Sequence, residues 1–195
     1  MKNVKTLGLL AFTVVVLTAF TGAASATELT SPKGTKLVNG TAIKASVLFP
    51  TVFPGGVPCE ASTINGEIIN EGNANATVVI AGSSIETMLC GPDTVTVLDP
   101  GVWEVHTKNA GSDNTGTVTS SGVAITTMSH RSVMGVPITI HCIYETENTD
   151  MGILEGGTLE INAVFPVRTT DGSCANPKWT AFYGVTKPAG ALVVD

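Results

Sequence analysis

Three histidines could do chemistry in this chain, because an imidazole binds metal ions and exchanges protons near neutral pH. His106 and His130 lie 24 residues apart, and His141 follows 11 residues later. Zinc-binding motifs place pairs of ligands much closer together along the chain. The histidines therefore predict no metal site, and we expect no cofactor.

Ser129 and His130 bring a hydroxyl group and an imidazole together in the segment MSHRS. A serine hydrolase needs such a nucleophile hydrogen-bonded to a base, and an acid that orients the base. Adjacent side chains of a strand point to opposite faces, so this pair would diverge in any regular strand. The sequence also lacks the G-x-S-x-G motif of many esterases. We expect an exposed turn here and predict no catalytic residue in the chain.

Two acidic segments would suit a calcium ion, which takes oxygen ligands. One is GSDNTG at 111–116, and the other is ETENTDMG at 145–152, where Asp150 with Glu145 and Glu147 is the best candidate. Neither segment follows the D-x-[DN]-x-[DN]-G pattern of a calcium loop. Both therefore favour solvated turns, the second at the tip of a hairpin.

Four cysteines complete the set of reactive side chains: Cys59, Cys90, Cys142 and Cys174. No two of them form a C-x-x-C motif, which disfavours zinc binding and thioredoxin-like redox chemistry. An even number of cysteines in an exported chain predicts disulfides, with three possible pairings. Bonds within the first pair and within the second pair close the shortest loops, so Cys59–Cys90 and Cys142–Cys174 are favoured.

The start of the chain has the three parts of a secretory signal peptide. Lys2 and Lys5 are followed by an uncharged apolar run over 7–20 and by Ala-Ser-Ala at 24–26. The run is shorter than the roughly 20 residues that span a bilayer. We therefore predict a signal peptide over 1–26 and a secreted protein, extracellular or cell-wall associated, with no stable membrane span.

The charge of the chain limits its partners. Asp and Glu number 16 against 10 Lys and Arg, which gives a net charge of −6. Nucleic acids and anionic lipids bind basic surfaces, so neither is expected as a partner. A cell-envelope component or an extracellular ligand remains as the expected partner.

The secondary structure predicted from the sequence consists of short strands. Runs of β-branched and aromatic residues alternate with turns, and helical periodicity is lacking. Asn39-Gly40, Asn65-Gly66 and Asp171-Gly172 suit tight hairpin turns. The pattern predicts an all-β fold, an antiparallel β-sandwich of immunoglobulin-like or similar form, or else a barrel-like one. Residues 27–54 form the N-terminal strand region of the domain whose main part is 55–195.

Alternation within the strands predicts which side chains face the core. Cys142 and Tyr144 share a face with Ile138 and Ile140, and His141 points away from it. The same alternation assigns core positions to Trp103, Val105, Leu159, Ile161, Ala163, Phe165, Trp179, Ala181, Tyr183 and Val185.

The order of several motifs resembles a family of small secreted, disulfide-bonded, β-rich proteins from actinobacteria. The motifs are TINGEI, TVTVLDPGVWEVHT, GTVTSSGVAIT, IHCIYETE and GSCANPKWTAFYGV, and the resemblance covers about residues 55–194. The chain departs from the family in PGVW, where proline and tryptophan are often adjacent, and in Ala175-Asn176-Pro177 after the last cysteine. The resemblance implies export, paired cysteines and a β-rich fold, and it supplies no catalytic residues.

Two classes of function remain. The first is a non-catalytic binding or structural module of the envelope or the extracellular space, which the lack of a catalytic constellation favours. The alternative is a secreted hydrolase of polysaccharide or ester substrates. A polysaccharide hydrolase needs two carboxyl groups about 5 to 10 Å apart. Glu104 and Glu160, on outward strand faces, could supply them if their strands are neighbours.

Overall fold

The computed structural model describes residues 27–73, 76–107, 115–169, 174, 176–188 and 193–194. The predicted signal peptide 1–26, the Asp171-Gly172 turn and most of the 111–116 segment lie outside the described residues. None of the described segments forms a helix suited to crossing a membrane. The strands are β1 (Leu29–Thr30), β2 (Ala42–Val47), β3 (Thr51–Phe53), β4 (Val57–Cys59), β5 (Ala61–Asn73), β6 (Ala76–Met88), β7 (Thr94–Thr107), β8 (Thr115–Val133), β9 (Val136–Glu145), β10 (Thr149–Glu155), β11 (Thr158–Val164), β12 (Lys178–Lys187) and β13 (Val193–Val194).

Eight antiparallel strands close into a barrel, in the order β2-β5-β6-β7-β8-β10-β11-β12. Closure depends on β12, which pairs with β11 on one side and with β2 on the other. A closed sheet satisfies the backbone hydrogen bonds of every strand in the ring and leaves no open edge there. The prediction of an all-β antiparallel fold is confirmed, and the fold has the barrel-like form.

Additional strands build up one end of the barrel, which we call the crown. It consists of the β3–β4 hairpin, residues 51–59, and the hairpin formed by 124–133 of β8 with β9. β8 is 19 residues long because its first part pairs with β10 and its second part pairs with β9. The short hairpin joins the barrel through the pairing of Val52 with Thr180 of β12.

The barrel interior contains the side chains that alternation predicted. Trp103, Ile161, Ala181 and Val185 are all buried, whereas Glu160 points outward and is exposed. Most of the other predicted core positions are buried as well, whereas Ile138 and Ile140 are half-buried. The buried ones are Val105, Cys142, Tyr144, Leu159, Ala163, Phe165, Trp179 and Tyr183. Tight packing leaves an apolar cavity of about 60 Å³ among them. An engineered cavity of about 150 Å³ is needed to hold benzene, so the interior is a packed core.

Two disulfides fasten the crown. Cys59 at the end of β4 bonds to Cys90 in the loop after β6, with Cα atoms 4.0 Å apart. Cys142 of β9 bonds to Cys174 in the segment before β12, with Cα atoms 5.6 Å apart. These are the pairings favoured from loop length. Two disulfides suggest an oxidising, extracellular environment, because cytosolic reductants keep thiols reduced.

One predicted turn is wrong, and the reason is local crowding. Asn65 and Gly66 lie inside β5, where the pairing with β6 shifts register. A Cβ atom at Gly66 would lie 2.8 Å from the carbonyl oxygen of Ala81. Glycine is required here because two backbones approach closely at a β-bulge, and not because the chain turns. Asn39-Gly40 does form a turn, with Gly40 at φ +84°, but it leads into β2 without making a hairpin.

Alkaline pH should destabilise the barrel through Tyr183. The hydroxyl group of Tyr183 is buried and donates a 2.8 Å hydrogen bond to Ser62. Burial raises the pKa of Tyr183 well above its usual value of about 10. Above pH 10 the folded protein therefore keeps a proton that the unfolded chain releases. The contribution of Tyr183 to the free energy of unfolding is fully present below pH 10 and falls above it. We expect a loss of about 1.4 kcal/mol for each pH unit between about pH 10 and pH 12.

Urea unfolding at pH 9, 10 and 11 measures this loss. Tyr183→Phe should be less stable at pH 9, because Ser62 loses its partner, but its stability should fall less steeply with pH. Phenolate absorbance that rises near pH 10 in the folded wild type but not in folded Tyr183→Phe would contradict the prediction.

Candidate functional site

The three histidines lie on three different strands and do not converge. His106 of β7 has its Nε2 3.6 Å from a Glu104 carboxylate oxygen. His130 of β8 has its Nδ1 4.0 Å from Asp93, and His141 of β9 is exposed. No group of three or more metal-binding side chains occurs among the described residues.

The candidate calcium ligands of the 145–152 segment have other partners. Arg168 lies 3.1 Å from a carboxylate oxygen of Glu145 and 3.1 Å from one of Glu147. The Asp150 carboxylate accepts a 3.1 Å hydrogen bond from the backbone N–H of Gly152. The segment links β9 to β10, which follow each other along the same edge of β8, so the expected hairpin tip is wrong.

Glu104 and Glu160 do not form a pair. Glu104 belongs to β7 and Glu160 to β11, and β8 and β10 lie between these two strands in the barrel. Their strands are therefore not neighbours in the sheet. A pair of hydrolytic carboxylates made of Glu104 and Glu160 required neighbouring strands, so these two residues do not form one.

Ser129 and His130 diverge, as expected of adjacent strand residues, but they do not lie in an exposed turn. Both belong to β8, and Ser129 pairs with Ile140 of β9. Ser129 is 6% exposed, whereas the His130 side chain is 53% exposed. The long pairing with β9 overrides the polar composition of MSHRS, so the expected turn is wrong. Ser129 faces inward without its neighbouring imidazole.

Ser129 lines a pocket between the two hairpins of the crown, which we call the crown pocket. Its volume is about 110 Å³. The lining residues are Gly55, Thr127, Ser129, Arg131, Ile140 and Tyr144, together with the Cys142 half of a disulfide. Alternation along β8 places Thr127, Ser129 and Arg131 on the same face. Hydroxyl groups and a guanidinium therefore meet apolar side chains in one small concavity.

Gly55 allows the β3–β4 turn to form one wall of the crown pocket. Its φ is +85°, and a Cβ atom there would lie 2.7 Å from Thr127 Oγ1 and 3.4 Å from the Tyr144 hydroxyl. The backbone N–H of Gly55 donates a 2.7 Å hydrogen bond to the carbonyl oxygen of Asn176. A larger residue would clash with Thr127 and would be strained at positive φ, so the turn can approach this closely because it is glycine.

Arg131 is held at the pocket by contacts to one of its nitrogens. Nη1 donates a 3.2 Å bond to Asp93 Oδ2 and a 3.1 Å bond to the backbone carbonyl of His130. Asp93 is 7% exposed, and its other oxygen accepts a 2.9 Å hydrogen bond from the backbone N–H of His130. These contacts fix one edge of the guanidinium group.

The pocket hydroxyls differ in their partners. Tyr144 is fully buried and shares a hydrogen bond with Thr127, and burial raises the pKa of Tyr144. Its hydroxyl group therefore stays protonated at neutral pH. Ser129 Oγ takes part in none of the hydrogen bonds found among the described residues. None of the fully buried side-chain oxygens and nitrogens of the described residues lacks a hydrogen-bond partner, so Ser129 Oγ is open to the pocket and can bond to a water molecule or to a ligand there.

Sequence reasoning missed this pocket, although a signal was present. Inward positions of β8 pass from Val123 and Ile125 to Thr127 and Ser129 without a change in periodicity. Polar side chains that continue the inward face of a strand mark either a hydrogen-bond network or a site. The second wall, formed by Gly55, comes from a distant hairpin that no local pattern connects to β8.

No protein-family model, no curated protein and no solved structure matches the chain. The resemblance to secreted actinobacterial proteins therefore stays a prediction.

Proposed function

We propose that this protein is an exported, non-catalytic binding module that retains a small extracellular or envelope-derived molecule in the crown pocket. The observation that carries the proposal is the Ser129 hydroxyl group, which is open to the crown pocket and has no hydrogen-bond partner among the described residues. Export is supported by the signal-like start of the chain and by the two disulfides.

The rigidity of the crown supports binding. The Cys142–Cys174 disulfide lies against the pocket, and the Cys59–Cys90 disulfide anchors the β3–β4 hairpin that forms its other wall. A wall that is fixed before the ligand arrives loses little conformational freedom on binding, which favours affinity. The closed barrel below the crown serves as the scaffold.

Ser129 also lacks the neighbours of a catalytic nucleophile. The side chain of His130, next in sequence, points to the other face of β8 and lies beside Asp93. The pocket lining contains no imidazole and no carboxylate that could take a proton from the hydroxyl group. The pocket therefore favours retention of a molecule over hydrolysis.

Native mass spectrometry of the mature chain tests the proposal. The protein is incubated with small-molecule fractions of the culture medium and envelope of the producing cells, desalted and weighed. We expect a bound species on the wild type that is lost in Ser129→Val, which fills the site with methyl groups. Ser132→Val is the matched control, because Ser132 is exposed on the same strand.

Two results would contradict the proposal. One is equal retention by Ser129→Val and Ser132→Val when both variants keep the wild-type circular dichroism spectrum. The other is a component that is consumed instead of retained, which would favour the hydrolase alternative.

A further inference from the structure

We propose that the crown pocket binds the carboxylate group of a small organic acid, with Arg131 and Ser129 as its donors. The inference rests on the proposed binding function and names the chemical class of its ligand.

The crown pocket contains one side chain that can only donate hydrogen bonds, and hydroxyl groups that can donate or accept them. The guanidinium group of Arg131 donates and cannot accept. The Ser129 hydroxyl is open to the pocket, can donate a hydrogen bond and lacks a protein partner among the described residues. Tyr144 and Thr127 bond to each other at the back of the site. A ligand that bonds to the guanidinium must bring acceptors, and a carboxylate brings two oxygens that can also accept from the Ser129 hydroxyl.

The orientation of Arg131 favours a carboxylate over a single acceptor. The contacts described for this side chain all use Nη1, toward Asp93 and the His130 carbonyl. Nε and Nη2 form the other edge of the guanidinium, and paired N–H groups of this kind bind both oxygens of a carboxylate at once. Asp93 thus positions the arginine for an acid on the opposite side.

The local charge is also suitable. The segment from Met128 to His141 contains Arg131 and two histidines but no aspartate or glutamate, in a chain of net charge −6. Asp93 offsets the formal charge of Arg131, but the Asp93 side chain is almost fully buried, whereas that of Arg131 is 44% exposed. Arg131 is the one charged side chain among the described residues that line the pocket, so an anion there meets a guanidinium group and no carboxylate.

The volume of the site limits the rest of the ligand. A cavity of about 110 Å³ is smaller than the roughly 150 Å³ that holds benzene. Ile140 and the Cys142 sulfur offer an apolar surface beside the donors. A short aliphatic acid satisfies both conditions, because its carboxylate meets Arg131 and its alkyl group meets Ile140.

Isothermal titration of the mature protein with propionate at pH 7 tests the inference, with propionamide as a probe of the same shape but no charge. We expect saturable binding of propionate in the millimolar range and binding of propionamide at least about tenfold weaker, because charge-assisted hydrogen bonds are the stronger kind. Arg131→Gln should weaken propionate binding at least about tenfold, and Arg131→Lys, which keeps the charge but loses the fork, should weaken it less.

Arg168→Gln is the matched control, because Arg168 is the other arginine of the chain and pairs with Glu145 and Glu147 away from the pocket. Its propionate affinity should equal that of the wild type. Equal affinity for propionate and propionamide would overturn the inference, as would equal losses in Arg131→Gln and Arg168→Gln. Should a culture component bind in a Ser129-dependent way while propionate does not, the carboxylate inference fails and the proposed binding function stands.

Discussion

Trp179→Ala should lower the free energy of unfolding by about 3 to 5 kcal/mol, the usual cost of removing a large aromatic side chain from a core. Trp179 is fully buried, and its ring stacks on Phe53 with centroids 4.9 Å apart. Three further rings meet it edge to face at 5.8 to 6.3 Å: Phe165, Tyr183 and Trp103. The substitution therefore opens a cavity where the barrel, the β3–β4 hairpin and the segment after β11 meet.

Trp179→Phe separates ring packing from hydrogen bonding. The indole N–H donates a 3.1 Å hydrogen bond to Thr51 Oγ1, and Thr51 is itself fully buried. Phenylalanine retains most of the packing but cannot form this hydrogen bond. We therefore expect the free energy of unfolding to fall by about 1 to 3 kcal/mol, in addition to the cost of packing a smaller ring. Urea unfolding followed by the fluorescence of Trp103 measures both variants.

Phe182→Ala is the control for the tryptophan variants, because Phe182 lies on the same strand, points outward and is 44% exposed. It packs edge to face against Phe49 at 6.5 Å, and its loss should cost about 1 kcal/mol or less. A cost for Trp179→Ala no larger than that for Phe182→Ala would contradict the central position assigned to Trp179.

Cys142→Ser should cost about 2 to 5 kcal/mol, because it removes a cross-link that closes a long loop and leaves a hydroxyl group in a buried place. Cys142 is 4% exposed and bonds to Cys174 across 32 residues. The variant should also show a Cys174 thiol that reacts with a maleimide after unfolding without reductant. Wild-type protein should show none under the same conditions.

His141→Ala tests the neighbouring residue and serves as the control for the cysteine. His141 is exposed on the opposite face of β9, so its removal should change stability by about 0.5 kcal/mol or less. Four reactive thiols in unfolded wild-type protein without reductant would contradict the disulfides. A loss of ligand retention in His141→Ala with an intact fold would show that the site extends to the histidine.

Local sequence patterns determined the class of fold and the direction of the side chains. The period-two alternation of Ile138, Ile140, Cys142 and Tyr144 predicts their shared face without any knowledge of the neighbouring strand, because successive side chains of a strand point to opposite sides. The cysteine pairing was also predictable from the sequence, because closing a short loop costs less entropy than closing a long one.

Tertiary structure alone decided how the sheet closes. Sandwiches and barrels share the same alternation, and the choice between them depends on pairings of residues far apart in sequence, such as Tyr183 with Val47. The same holds for Gly66, which reads as a turn residue but is required by the backbone of Ala81 on the adjacent strand.

The crown pocket shows both contributions together. Alternation along β8 is sufficient to align Thr127, Ser129 and Arg131 on one face, and the sequence determined that much by itself. Gly55 forms the opposite wall of the crown pocket, and Asp93 positions the guanidinium of Arg131. Both residues contact β8 from distant parts of the sequence, and no local pattern predicts these contacts. Alternation specifies which side of a strand a residue faces. A site also requires that two segments distant in sequence face each other. The closure of the barrel and the placement of its two crown hairpins determine which segments do so.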